Sequence, residues 1–182
     1  YAETGFPQNS VAGLKKAVEM KLFASECDIH LTKDGKVVVY HDDYYLGNTC
    51  FKDATYAELC AKGTLANGEK LPLLEEFIDV VLEGGCTQLW IDVKTLGDEA
   101  GGNAEASRTG IAAAQIVHEK RAKNFVGFIV GRLAIRDKVI PAVRSAWPVS
   151  YGAAAYEPGD FIARDIPWAN MKLADFGLDT KR

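Results

Sequence analysis

Short β-branched and apolar runs alternate along this chain with longer segments of helical period, and that alternation restricts the fold more than any other feature. The first helix is predicted over about Ser10 to Lys21, opened by Asn9 and Ser10 as capping residues, with Leu14, Ala17, Val18 and Leu22 on one stripe. A strand follows over Phe23 to Ile29, and a KDG turn leads to a second over Lys36 to Tyr40, apolar on both faces as buried parallel strands are. Thr55-Tyr-Ala-Glu58 reads as a capping box opening a small helix, and a longer helix spans Leu73 to Leu82 after Pro72, stopped at Gly84-Gly85. Strand Gln88 to Val93, a helix near Glu105 to Arg121 and strand Phe125 to Val130 continue the rhythm. A helix near Ala134 to Ala146, a strand Val149 to Ala154 and a last strand around Met171 to Asp175 close it. Strand and helix in alternation call for a parallel sheet with helical crossovers, either doubly wound or closed into a (β/α) barrel.

The 182 residues, 48% of them hydrophobic, supply material for one sizeable core, so a single domain over residues 1–182 is expected. A net charge of -4 leaves no broad basic surface for a nucleic-acid backbone, and nucleic acid is not an expected partner. Oligomeric state has no signature here. Cys27, Cys50, Cys60 and Cys86 form no CxxC pair, which disfavours zinc ribbons and thioredoxin-type redox chemistry; a Cys50–Cys60 disulfide stays open beside free buried thiols. No run approaches the roughly 18 apolar residues of a membrane-spanning helix. The glycine-rich stretch after the third strand lacks both the GK[ST] and GxGxxG patterns and reads as a flexible loop.

The ionisable residues fall in a pattern. Period-two geometry sends Glu26 and Asp28 to one side of the first strand and Cys27 to the other. Val37, Val39 and His41 share a face of the second, with the imidazole at the strand's carboxyl end, and Trp90, Asp92 and Lys94 share a face of the third. His30 falls past the strand end as a loop residue, and His118 faces solvent on its helix. In either α/β architecture, binding and chemistry are built at the carboxyl ends of the strands. Ordinary salt-bridged strand ends would explain any one of these groups. Three strands in succession, presenting three carboxylates, a histidine and a lysine to one mouth, favour a bound cation, because unpaired charges there cost on the order of several kcal/mol each. All-oxygen ligands suit Mg²⁺ or Ca²⁺ better than zinc or copper.

Several segments together resemble the glycerophosphodiester phosphodiesterase family: Pro7-Gln8-Asn9-Ser10, Glu26-Cys27-Asp28, the run from Thr32 through Asp34-Gly35 and Val38-Val39 to His41-Asp42, and Asp92-Val93-Lys94. The match covers about the first half of the chain, with Gln8 in place of an acidic residue and Asp92 in place of a glutamate. This resemblance implies a (β/α)8 TIM barrel that hydrolyses small-molecule glycerophosphodiesters to sn-glycerol 3-phosphate and an alcohol with a divalent metal, Ca²⁺ or Mg²⁺. It implies Glu26, Asp28 and Asp92 as metal ligands, His41 as one of two catalytic histidines and Lys94 as the substrate-binding lysine near the phosphate. The His-Arg-Gly motif that opens the family's pattern would fall, with the first strand, a few residues before Tyr1. Only about six strands can be placed, and a full barrel takes about 250 residues, so an incomplete barrel is expected.

Two alternatives share this resemblance: a phospholipase D-like lyase of the same superfamily, and a non-catalytic descendant that only binds a phosphorylated ligand. The loop from Asp43 to Lys70 holds Tyr44, Tyr45, Phe51 and Tyr56, which either line a pocket or cover a small core of the loop's own.

Overall fold

The computed structural model describes residues 5–95, 99–130 and 149–151, with the side chains of 99–103 and 149–151 left aside. Its main sheet has five strands, in the order β2 (Val37–Val39), β1 (Ala24–Leu31), β5 (Gln88–Val93), β6 (Val126–Val130) and β7 (Val149–Tyr151). Strands β1, β5, β6 and β7 run parallel. Helices α1 (Val11–Glu19), α3 (Leu74–Gly84) and α4 (Glu99–Glu119) lie between or beside them, as crossovers of a (β/α) architecture require. The helix near 134–146, the end of the 149–154 strand and the strand near 171–175 lie outside the described residues.

Alternation along β1 and β5 separates two chemistries. Cys27 and Ile29 of β1, with Leu89, Ile91 and Val93 of β5, enter a core completed by Leu14, Phe77, Ile78, Val81 and Phe128. Helix α1 closes against α3 so tightly that a Cβ on Gly84 would fall 2.2 Å from Val18 Cγ1, and glycine is the residue that fits. The opposite face of the two strands carries Glu26, Asp28 and Asp92.

Strand β2 (Val37–Val39) departs from the parallel arrangement expected of it. It runs antiparallel to β1, pairing Ile29 with Val39 and Leu31 with Val37. Only Thr32 to Lys36 join the two strands, closed by Thr32 N donating to Lys36 O at 2.9 Å, and a parallel return needs a crossover of about a dozen residues. The valine run is apolar on both faces for another reason: Val37 and Val39 belong to the main core, while Val38 belongs to a second one.

That second core lies in the loop region. Hairpin β3 (Tyr44–Tyr45) and β4 (Thr49–Cys50), a 3₁₀ turn at Phe51–Asp53 and helix α2 (Tyr56–Lys62) bury Tyr45, Phe51, Leu59 and Leu71 together with Val38. Thr55 and Glu58 form the expected capping box at the start of α2. Of the loop aromatics, Tyr45 and Phe51 therefore fill the loop's own core, and Tyr44 stays exposed.

Two further expectations change. Pairing with β2 extends β1 to Leu31, so His30 is a buried strand residue and not a loop residue. The glycine-rich stretch is taken up by α4 from Glu99 onward, where its interspersed alanines and glutamates favour helix over loop. All four cysteines are free, which settles the open choice at Cys50 and Cys60 in favour of thiols. Among the described residues no helix is long and apolar enough to cross a membrane.

Candidate metal centre and active site

Parallel pairing of β1 with β5 sets Asp28 opposite Asp92 and Glu26 opposite Trp90. Because side chains two apart share a face, Glu26, Asp28 and Asp92 all turn into one cleft. One ligand oxygen from each lies within 4.8 Å of the others. Lys94, just past the end of β5, extends into the same group, its Nζ 2.6 Å from Asp28 Oδ1 and 3.1 Å from Asp92 Oδ2.

His41 arrives by a different route from the one expected. Since β2 runs backwards along β1, its carboxyl end lies beside Asp28, and Tyr40 N donates to Asp28 O at 3.0 Å. The next residue, His41, therefore lines the same cleft as the three acids and Lys94. Its Nδ1 lies 2.7 Å from Asp42 Oδ1, which leaves Nε2 as the other ring nitrogen available to a bound molecule. All five residues singled out in the sequence thus meet in one place.

The electrostatics show a group with more acid than its own cation can balance. Burial, followed by the charges of Asp28 and Asp92, pushes the Glu26 carboxyl up to about 8 against the opposing pull of Lys94, although one side of Glu26 still meets the cleft. Burial also raises Asp92, with Lys94 opposing. Burial acts to lower Lys94, but its hydrogen bond to Asp28 and the charges of Asp92 and Asp28 outweigh that and hold the ammonium protonated more firmly than usual. Three carboxylates around one lysine fit a further hard cation: the donors are all oxygen, they converge, and added positive charge opposes the burial and carboxylate repulsion that together push Glu26 up.

Other residues join the site. Asn9 does not cap α1; the N-cap is Ser10, its Oγ accepting from Gly13 N at 3.1 Å. Asn9 instead turns its amide onto Asp28: Nδ2 donates to Asp28 Oδ2 at 2.7 Å and Oδ1 accepts from Asp28 N at 3.1 Å. His30 continues the Glu26–Asp28 side of β1 and is buried with its ring stacked on Phe51 at 4.4 Å. Burial lowers it to about 4, and its Nε2 has no hydrogen-bond partner among the described residues. Period two already sends His30 the same way as Asp28; pairing with β2 is what keeps it inside the strand.

The model of the glycerophosphoryl diester phosphodiesterase family matches residues 2–125. A glycerophosphodiester phosphodiesterase of Caldanaerobacter subterraneus is 33% identical over 41% of this chain. That match covers 35% of the relative, so the chain spans about a third of its length. Among solved structures, a glycerophosphodiester phosphodiesterase from Parabacteroides distasonis superposes with a TM-score of 0.79 at 26% identity, covering 93% of this chain and 68% of that one. A phosphodiesterase from Oleispira antarctica, solved with the product sn-glycerol-3-phosphate, shares the fold with a TM-score of 0.70 at 20% identity, covering 93% and 76%. The parallel sheet described above is thus part of a TIM barrel of this kind. By the match over residues 2–125, the chain belongs to the glycerophosphoryl diester phosphodiesterase family.

Proposed function

We propose that residues 1–182 form one partial barrel domain of a metal-dependent phosphodiester hydrolase that cleaves glycerophosphodiesters to sn-glycerol 3-phosphate and an alcohol. The observation that carries this reading is the convergence of Glu26, Asp28 and Asp92 within 4.8 Å in a cleft that His41 and Lys94 also line. The family match and the product held by the Oleispira phosphodiesterase support the substrate class. Glu26, Asp28 and Asp92 would hold a Ca²⁺ or Mg²⁺ ion, which when bound supplies positive charge at a non-bridging phosphate oxygen.

The remaining work falls to side chains of this chain. Lys94, held between Asp28 and Asp92, adds a fixed positive charge where negative charge builds up on the phosphoryl group. Asp42 fixes the His41 ring through Nδ1, so that Nε2 is the atom that exchanges a proton with the nucleophile or the leaving alkoxide.

With Ca²⁺ or Mg²⁺, the intact protein is expected to release glycerol 3-phosphate from glycerophosphocholine or a related diester. His41→Ala is expected to slow that release by about 10²- to 10⁴-fold while leaving metal affinity unchanged. Absence of metal-dependent release from a panel of diesters, or full activity without His41, contradicts the proposal. A cyclic phosphate in place of the monoester would identify lyase chemistry.

A further inference from the structure

The first three residues of helix α1, Val11 to Gly13, have backbone N–H groups with no intrahelical acceptor, and the first turn has no acidic residue of its own. Ser10 Oγ takes the Gly13 N–H. The other two are taken by Glu69, a residue of the loop region far along the chain: Oε2 accepts from Val11 N at 2.8 Å and Oε1 from Ala12 N at 3.1 Å. The carboxylate is itself aimed. Asn67 Nδ2 donates to Glu69 Oε1 at 2.7 Å, and Asn67 Oδ1 accepts from Glu69 N at 3.2 Å. Gly68 between them sits at φ +84, a conformation that side-chain-bearing residues rarely adopt. Leu65 N closes the turn on Glu69 O at 2.7 Å.

Immediately before α1 stands Asn9, also in the left-handed region at φ +56, a conformation Asn tolerates better than most residues. Its two bonds to Asp28 use both ends of the side-chain amide and both the backbone N–H and the carboxylate of Asp28. Asn9 is separated from Val11 by Ser10 alone. A displacement of the first turn of α1 therefore moves the amide that grips Asp28.

We propose that Glu69 is a positioning residue of the acidic site, fixing the first turn of α1 so that Asn9 holds Asp28 in the orientation the site requires. It ties the loop region to the centre through backbone donors and touches none of the reacting groups. The effect on metal affinity rests on the metal-centre reading above; the effect on Asp28 itself does not.

The test is a double-mutant cycle on the intact protein, comparing Glu69→Ala, Asn9→Ala and the pair. Calcium or magnesium affinity and hydrogen exchange of the Asp28 amide are both measured. Glu69→Ala is expected to weaken metal binding about tenfold, the lower end of what is lost with partners that orient metal ligands. It is also expected to accelerate Asp28 exchange. In the Asn9→Ala background it should do neither. Glu69→Gln, which keeps one acceptor oxygen, should fall between wild type and Glu69→Ala and guards against simple loss of folding. Unchanged Asp28 exchange in Glu69→Ala, or equal effects with and without Asn9, would overturn the proposal, since a merely structural cap acts equally in both backgrounds. If the wild type binds neither ion, the metal-centre reading fails, and the exchange cycle alone decides whether Glu69 acts on Asp28 through Asn9.

Discussion

The site face of β1 and β5 and the loop region between Tyr40 and Leu73 both combine charged groups with buried surroundings, yet they differ in how those groups are matched. In and around the loop region, Tyr45 Oη donates to Gly63 O and Tyr56 Oη to Leu71 O, each at 2.9 Å. Asp34 accepts from Thr32 Oγ1 and Tyr56 N, and Glu58 closes its capping box with Thr55. On the site face, Asp28 and Asp92 share the Lys94 ammonium, and burial together with their charges pushes the Glu26 carboxyl up. Local partners make scaffold. A shortfall of positive charge, retained where three strands meet, marks where something from outside belongs.

The difference can be broken at either end. Leu59, fully buried in the loop core, should cost the most: Leu59→Ala is expected to lower unfolding stability by about 2–5 kcal/mol. Chemical denaturation should find this loss nearly constant from about pH 5 to pH 8, because no charge is removed. A loss that changed strongly across that range would mean that the loop core is coupled to titrating groups and that the two regions are not distinct.

Glu26 gives the opposite signature, smaller and dependent on pH. Its surroundings push its carboxyl up to about 8 in the folded protein, although Glu26 is open to the cleft, whereas in the unfolded chain it ionises near 4.5. The unfolded state therefore sheds its proton first, and stability is lost as pH rises through that window. In chelator, the melting temperature of the wild type should fall between about pH 5 and pH 8, and Glu26→Gln should flatten the fall. An equal slope in the two proteins would remove Glu26 from the account.

Much of this was legible in the chain itself. The alternation of β runs and helical segments gave the (β/α) class because parallel strands need helical crossovers, and period two put Glu26 and Asp28 on one side of β1 and Asp92 with Lys94 on one face of β5, while the register that makes the two faces coincide comes from pairing of the strands. The direction of β2 was not legible from its valines. Residues apolar on both faces serve a parallel strand and a strand between two cores equally well, and only the five-residue connection Thr32 to Lys36 distinguishes them. His30 was missed because the end of β1 is set by pairing with β2, a tertiary contact, and not by the composition of β1. Glu69 had no local signal at all. Its partners Val11 and Ala12 lie 58 and 57 residues away, and acceptance from backbone N–H groups requires nothing particular of the side chains there.

The most direct test is calorimetric titration of the intact protein with Ca²⁺ and with Mg²⁺, alongside Asp28→Asn. The structure predicts one hard-cation site in the wild type, with proton release below about pH 8 as Glu26 ionises, and loss of that site in Asp28→Asn. Absence of binding by the wild type, or binding that Asp28→Asn leaves undiminished, would contradict the claim that Glu26, Asp28 and Asp92 together hold a metal ion.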